Sequence, residues 1–69
     1  MLLTNEKLGQ RIAHYRKALN LTQAEFAAIT GIRPKHLSDI ETGKIVRIHT
    51  LARLAAGLGV TIGALVGGR

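Results

Sequence analysis

Residues 21–44 read LTQAEFAAITGIRPKHLSDIETGK, and the caps and breaks in this stretch decide the fold. Thr22 and Glu25 stand three residues apart, the spacing of a reciprocal capping box, and Leu21 and Phe26 flank it as a hydrophobic staple. The pattern predicts a helix from Gln23 to about Thr30, only about two turns long. Gly31 then supplies a residue able to take the left-handed conformation. Pro34 suits the first position of the next helix, where its missing N–H costs nothing. Within that helix Leu37 and Ile40 share one face, while Lys35, Ser38, Asp39 and Thr42 project to the other. Gly43 ends it. A connection of about four residues centred on Gly31 forces the two helices to cross steeply. Ala27 is small where they must approach. Ile32 and Leu37 anchor the second of the pair from behind, so its polar side is held off the core.

Upstream, Thr4 is a good N-cap, with Glu6 in the first turn where the helix dipole favours a carboxylate. Leu3 and Leu8 form a staple, and Leu8, Ile12, Tyr15 and Leu19 recur at helical spacing. A first helix is therefore predicted over Asn5–Leu19, ended by Asn20 in the left-handed conformation. Lys7, Arg11, His14 and Lys17 fall mainly off the apolar stripe, toward water. Downstream, Lys44–Arg47 reads as a loop. A fourth helix is predicted from about Ile48 to Leu58, with Leu51, Leu54, Ala55 and Leu58 inward. Gly59 terminates it, and Thr61 caps a short fifth helix holding Ile62, Leu65 and Val66. Residues 67–69 read as a frayed end.

The chain has 69 residues, room for one domain with a small core. It contains no cysteine, which excludes disulfides and thiolate metal sites. Ten Lys and Arg against four Asp and Glu give a net charge of +6 and a pI near 11.0. Such a surface attracts nucleic acid or anionic membrane, although net charge also serves solubility alone. Leu54–Val66 carries no charge, but it is shorter than the roughly 20 apolar residues of a membrane span and is interrupted by glycines. No signal peptide is visible, so a cytoplasmic protein is expected. A basic chain that holds a short helix with its polar side outward can place that helix in the major groove of a duplex.

The 21–44 stretch resembles the phage-repressor (Cro-like, XRE) helix-turn-helix family. The matching positions are Gln23, Phe26, Ala27, Gly31, Ile32, Leu37, Ser38, Ile40, Glu41 and Gly43. The likeness extends upstream to LGQRIAHYRKALN and downstream to TLARLAAGLGVTIGALV, covering about residues 8–66. It implies an all-α fold: one compact, lambda-repressor-like five-helix domain over residues 1–69, with the helix-turn-helix unit at about 22–43. It also implies sequence-specific binding of operator DNA, usually as a dimer. Arg16 and Glu41 resemble a family ion pair that joins the first helix to the third. The family often carries a proline before the fourth helix, where this chain has Lys44-Ile45-Val46-Arg47. Ile45 and Val46 either tuck against that helix or, with Ile62 and Val66, contact a second copy.

Lys35 and Asp39, one turn apart, are the main candidates for reading bases, with Ser38 and Thr42 as weaker ones. A lysine donates to guanine and an aspartate accepts from cytosine. The competing reading of the pair is an i,i+4 ion pair on a solvated face. Thr22 and Gln23, beside free backbone N–H groups, are candidates for a phosphate. Arg33, Lys44 and Arg47 flank the third helix and are assigned to phosphates, which position without specifying. His14, His36 and His49 are not spaced as a metal set, and no cofactor is expected. Tyr15 and Phe26 fall on inward stripes, which argues against single-strand stacking. No catalytic constellation is visible, so no enzyme is expected. The favoured reading is a transcriptional regulator, a repressor acting as a homodimer on an inverted-repeat operator. The alternative is an antitoxin or other interaction module that binds a toxin or another protein. A membrane partner is not expected.

Overall fold

A computed structural model describes residues 4–67. Five helices follow one another: α1 (Asn5–Ala18), α2 (Gln23–Thr30), α3 (Pro34–Glu41), α4 (Ile48–Leu58) and α5 (Ile62–Val66), with no strand among the described residues. The starts are set by side-chain caps. The Thr4 hydroxyl accepts from the Lys7 N–H, both halves of the Thr22–Glu25 capping box form, and the Thr61 hydroxyl accepts from the Ala64 N–H. The stops are set by left-handed residues: Asn20 at φ 59°, Gly31 at φ 73° and Gly59 at φ 72°. The Leu3 half of the first staple lies outside the described residues, as do positions 68 and 69. Gly67 closes α5, its N–H donating to the Gly63 carbonyl at 2.8 Å.

Phe26, Ile12, Leu37, Ile40, Leu54 and Leu65 are fully buried and draw one residue or more from every helix into a single core. Tyr15, Leu21 and Val46 pack half-buried against it. Two glycines set helix spacing. A Cβ on Gly9 would meet the Glu41 carbonyl oxygen at 2.8 Å, so α1 lies directly on the end of α3. One on Gly57 would meet the Thr30 methyl at 2.8 Å and the Phe26 ring at 3.0 Å, so α4 lies directly on α2.

The structure corrects the expected inner stripe at one end. Leu19 is 49% exposed, because α1 stops at Ala18 and Leu19 sits in the cap, turned off the helical path. Arg11 is also not simply turned to water: its Nη1 donates to the Ala64 carbonyl of α5 at 3.2 Å.

Candidate nucleic-acid interface

α3 is held by its rear. Leu37 and Ile40 are fully buried, and Pro34 occupies its first turn. Its opposite side carries Lys35 and Thr42, both exposed, with Ser38 and Asp39 half-buried between them. Lys35 Nζ stands 3.9 Å from Asp39 Oδ2, with the lysine side chain 90% exposed. A pair so exposed and so long contributes at most a few tenths of a kcal/mol, so both groups remain available to a ligand. The Thr42 hydroxyl donates to the carbonyls of Ser38 (3.1 Å) and Asp39 (2.9 Å), which leaves its oxygen free only to accept.

The tilt of α3 is fixed by a three-helix polar network. Arg16 from α1 is only 7% exposed. Its Nε donates to Glu41 Oε2 at 2.7 Å, its Nη2 to Glu41 Oε1 at 3.0 Å, and its Nη1 to the Leu21 carbonyl at 2.7 Å. Gln23 is the third member, its Nε2 donating to Glu41 Oε1 at 2.9 Å. The sequence reading gave Gln23 only a phosphate; the structure ties its side chain inward. Nothing in local spacing signals that contact, since Gln23 and Glu41 lie on different helices. Every buried polar side-chain atom of the described residues has a partner. That is the condition under which a buried ion pair specifies an arrangement rather than straining it.

Cationic side chains surround α3. Arg33 is its exposed N-cap residue and makes no side-chain cap bond. Lys44 and Arg47 are exposed in the segment after it. Among the described residues the ion pairs are Arg16–Glu41 and Lys35–Asp39, so none of these three cations is neutralised by a carboxylate there. The Thr22 hydroxyl accepts from the Glu25 N–H at 3.0 Å, which leaves its own proton free to donate outward. His36 is exposed on α3. No group of three or more metal-ligating side chains forms among the described residues. No helix there is long and apolar enough to cross a membrane.

A mainly apolar groove of about 320 Å³ opens between α1, α4 and α5, lined by Leu8, Val46, Ile48, Leu51, Ile62 and Val66, with Asn5 as its one polar residue. Ile45 is 77% exposed and Ile48 61% exposed, so apolar surface continues from the groove into the solvent. Val46, Ile62 and Val66 thus share one surface feature, with Ile45 next to Val46 in the chain.

A model of the HTH_3 helix-turn-helix family matches residues 12–65. The immunity repressor protein of Bacillus phage phi105 is 36% identical over 61 residues, which are 87% of this chain and 42% of that protein. The chain therefore spans less than half the length of that relative. Among solved structures, the restriction-modification controller protein C.AhdI from Aeromonas hydrophila superposes with a TM-score of 0.85 at 27% identity, over 88% of this chain and 94% of the other. SinR, the master regulator for biofilm formation, solved in complex with DNA, superposes with a TM-score of 0.80 at 33% identity, over 84% and 95%. With the family model matching residues 12–65, the chain belongs to the HTH_3, XRE-type helix-turn-helix family of transcriptional regulators.

Proposed function

We infer that this chain binds double-stranded DNA sequence-specifically in the cytoplasm and represses transcription as a homodimer on an inverted-repeat operator. The observation that carries the reading is the presentation of α3. Its apolar side is fully buried, its polar side is free, and uncompensated cations lie at both ends. In this reading α3 enters the major groove, where Lys35 and Asp39 read base edges, assisted by Ser38 and by Thr42 as an acceptor. Thr22, Arg33, Lys44 and Arg47 hold phosphates, and Gln23 divides its amide between Glu41 and the backbone. One α3 covers only a few base pairs, so two copies one helical turn apart are needed for a useful site. The groove beside Ile45 and Ile48 supplies the apolar surface a second copy would cover.

Selection of duplexes from a random-sequence pool tests this. An inverted repeat is expected to emerge, bound with an affinity that falls steeply with salt. Failure to enrich any sequence at low ionic strength, together with a tightly copurifying protein, would favour the interaction-module alternative.

A further inference from the structure

The groove surface depends on α5, and α5 is a poor helix by itself. It has five residues, with Gly63 inside it and Gly67 at its C-cap, and its ends are closed by bonds from the Ala64 N–H to the Thr61 carbonyl and from the Gly67 N–H to the Gly63 carbonyl. A segment this short does not hold helical shape without tertiary support. Leu65, fully buried, and Ile62 and Val66, half-buried against the core, anchor it by apolar contact. Apolar contact is non-directional, so it fixes the distance of α5 from the core more firmly than its roll. The roll decides whether Ile62 and Val66, one turn apart on the same face, line the groove. The second fixed point is Arg11, whose Nη1 reaches 53 residues along the chain to donate to the Ala64 carbonyl at 3.2 Å. Ala64 lies in the last turn of α5, where carbonyls have no partner within the helix and a cation is favoured by the dipole. Among the described residues Arg11 has no carboxylate partner that would explain its position otherwise.

We propose that Arg11 is a positioning residue for self-association: its bond to the Ala64 carbonyl locks α5 in the orientation that presents Ile62 and Val66 to a second copy of this chain. This rests on the homodimer reading above. Arg11 contributes nothing to base reading, because α3 is fixed separately through Arg16, Glu41 and Gln23.

The test compares the wild-type chain with Arg11→Met and Arg11→Lys. Self-association is followed by sedimentation, and DNA binding by titration of two probes. One is the inverted repeat that the wild type selects from random duplexes, and the other is the same duplex with one arm scrambled. Arg11→Met removes the donor and keeps the aliphatic stem. Its self-association is expected to weaken by about tenfold, the loss of one charge-assisted hydrogen bond. Its affinity for the one-armed probe is expected to stay at the wild-type value, while the advantage of the intact repeat shrinks. The Gly67 amide should exchange faster, and Arg11→Lys, which keeps a cationic donor, should recover part of the association. A dimeric wild type with Arg11→Met equally dimeric overturns the proposal alone. So does an Arg11→Met chain that fails to fold or loses one-armed binding in proportion, since the bond would then support the whole core. A wild type that stays monomeric at every concentration and shows no advantage for the intact repeat overturns the homodimer reading itself.

Discussion

Arg16 and Glu41 show how one buried pair serves orientation. The pair lies in a nearly water-free seam, with side chains 8% and 5% exposed, and each charge depends on the other for solvation. Glu41→Leu would leave the Arg16 guanidinium with only the Leu21 carbonyl and strand the Gln23 amide. A loss of about 3 kcal/mol in denaturant unfolding is expected, whereas Arg16→Met combined with Glu41→Leu should lose clearly less. Equal losses from the single and double variants would show that the pair acts through packing rather than charge. At the exposed end of the scale, Arg47→Ala removes one uncompensated cation. It should weaken binding to all duplexes alike without altering the preferred sequence, as read by competition between the selected site and a scrambled one. The sequence made Arg16 and Glu41 visible through family register alone. It did not show Gln23 joining them or Arg11 reaching Ala64, because a hydrogen bond between residues 18 or 53 apart leaves no periodicity to read.

At the scale of elements, two internal glycines that look alike in the sequence should behave oppositely. Both lower helix propensity by roughly 1 kcal/mol relative to alanine. Gly63 has open surroundings, its nearest neighbour to an added Cβ being the Thr61 hydroxyl at 3.7 Å. Gly63→Ala should therefore raise the melting temperature by a few degrees. Gly57 is pressed against Thr30 and Phe26, and Thr30 is pinned because its hydroxyl donates to the Phe26 carbonyl at 2.9 Å. Overpacking there costs about 1–3 kcal/mol, which outweighs the propensity gain, so Gly57→Ala should lower the melting temperature. A rise for both would mean that α4 can move off α2 freely. Helix starts and stops were legible from Thr4, Thr22, Pro34, Gly31 and Gly59, since a cap is a local event. Helix spacing was not, because the close approaches at Gly9 and Gly57 depend on what another helix places opposite. The inward placement expected of Leu19 failed for a related reason: periodicity ran on past Ala18, but the helix did not.

For the whole molecule, a small basic body places Arg33, Lys44 and Arg47, without carboxylate partners among the described residues, at the ends of α3, and the exposed Ile45 and Ile48 beside the α4–α5 groove. If Arg33, Lys44 and Arg47 each meet a phosphate in both copies of a dimer, six contacts form. The logarithm of the affinity should then fall against the logarithm of salt with a slope of about −5. A slope near half of that, at a site with one arm, would indicate a monomer on DNA. The most direct measurement of the central claim is a parallel selection from random duplexes with the wild-type chain and with Lys35→Ala and Asp39→Ala. If the outward side of α3 reads bases, the wild type yields an inverted repeat, and each variant loses discrimination at its own base position by about 1–3 kcal/mol while keeping the rest of the site. The account is contradicted if both variants return the wild-type site unchanged.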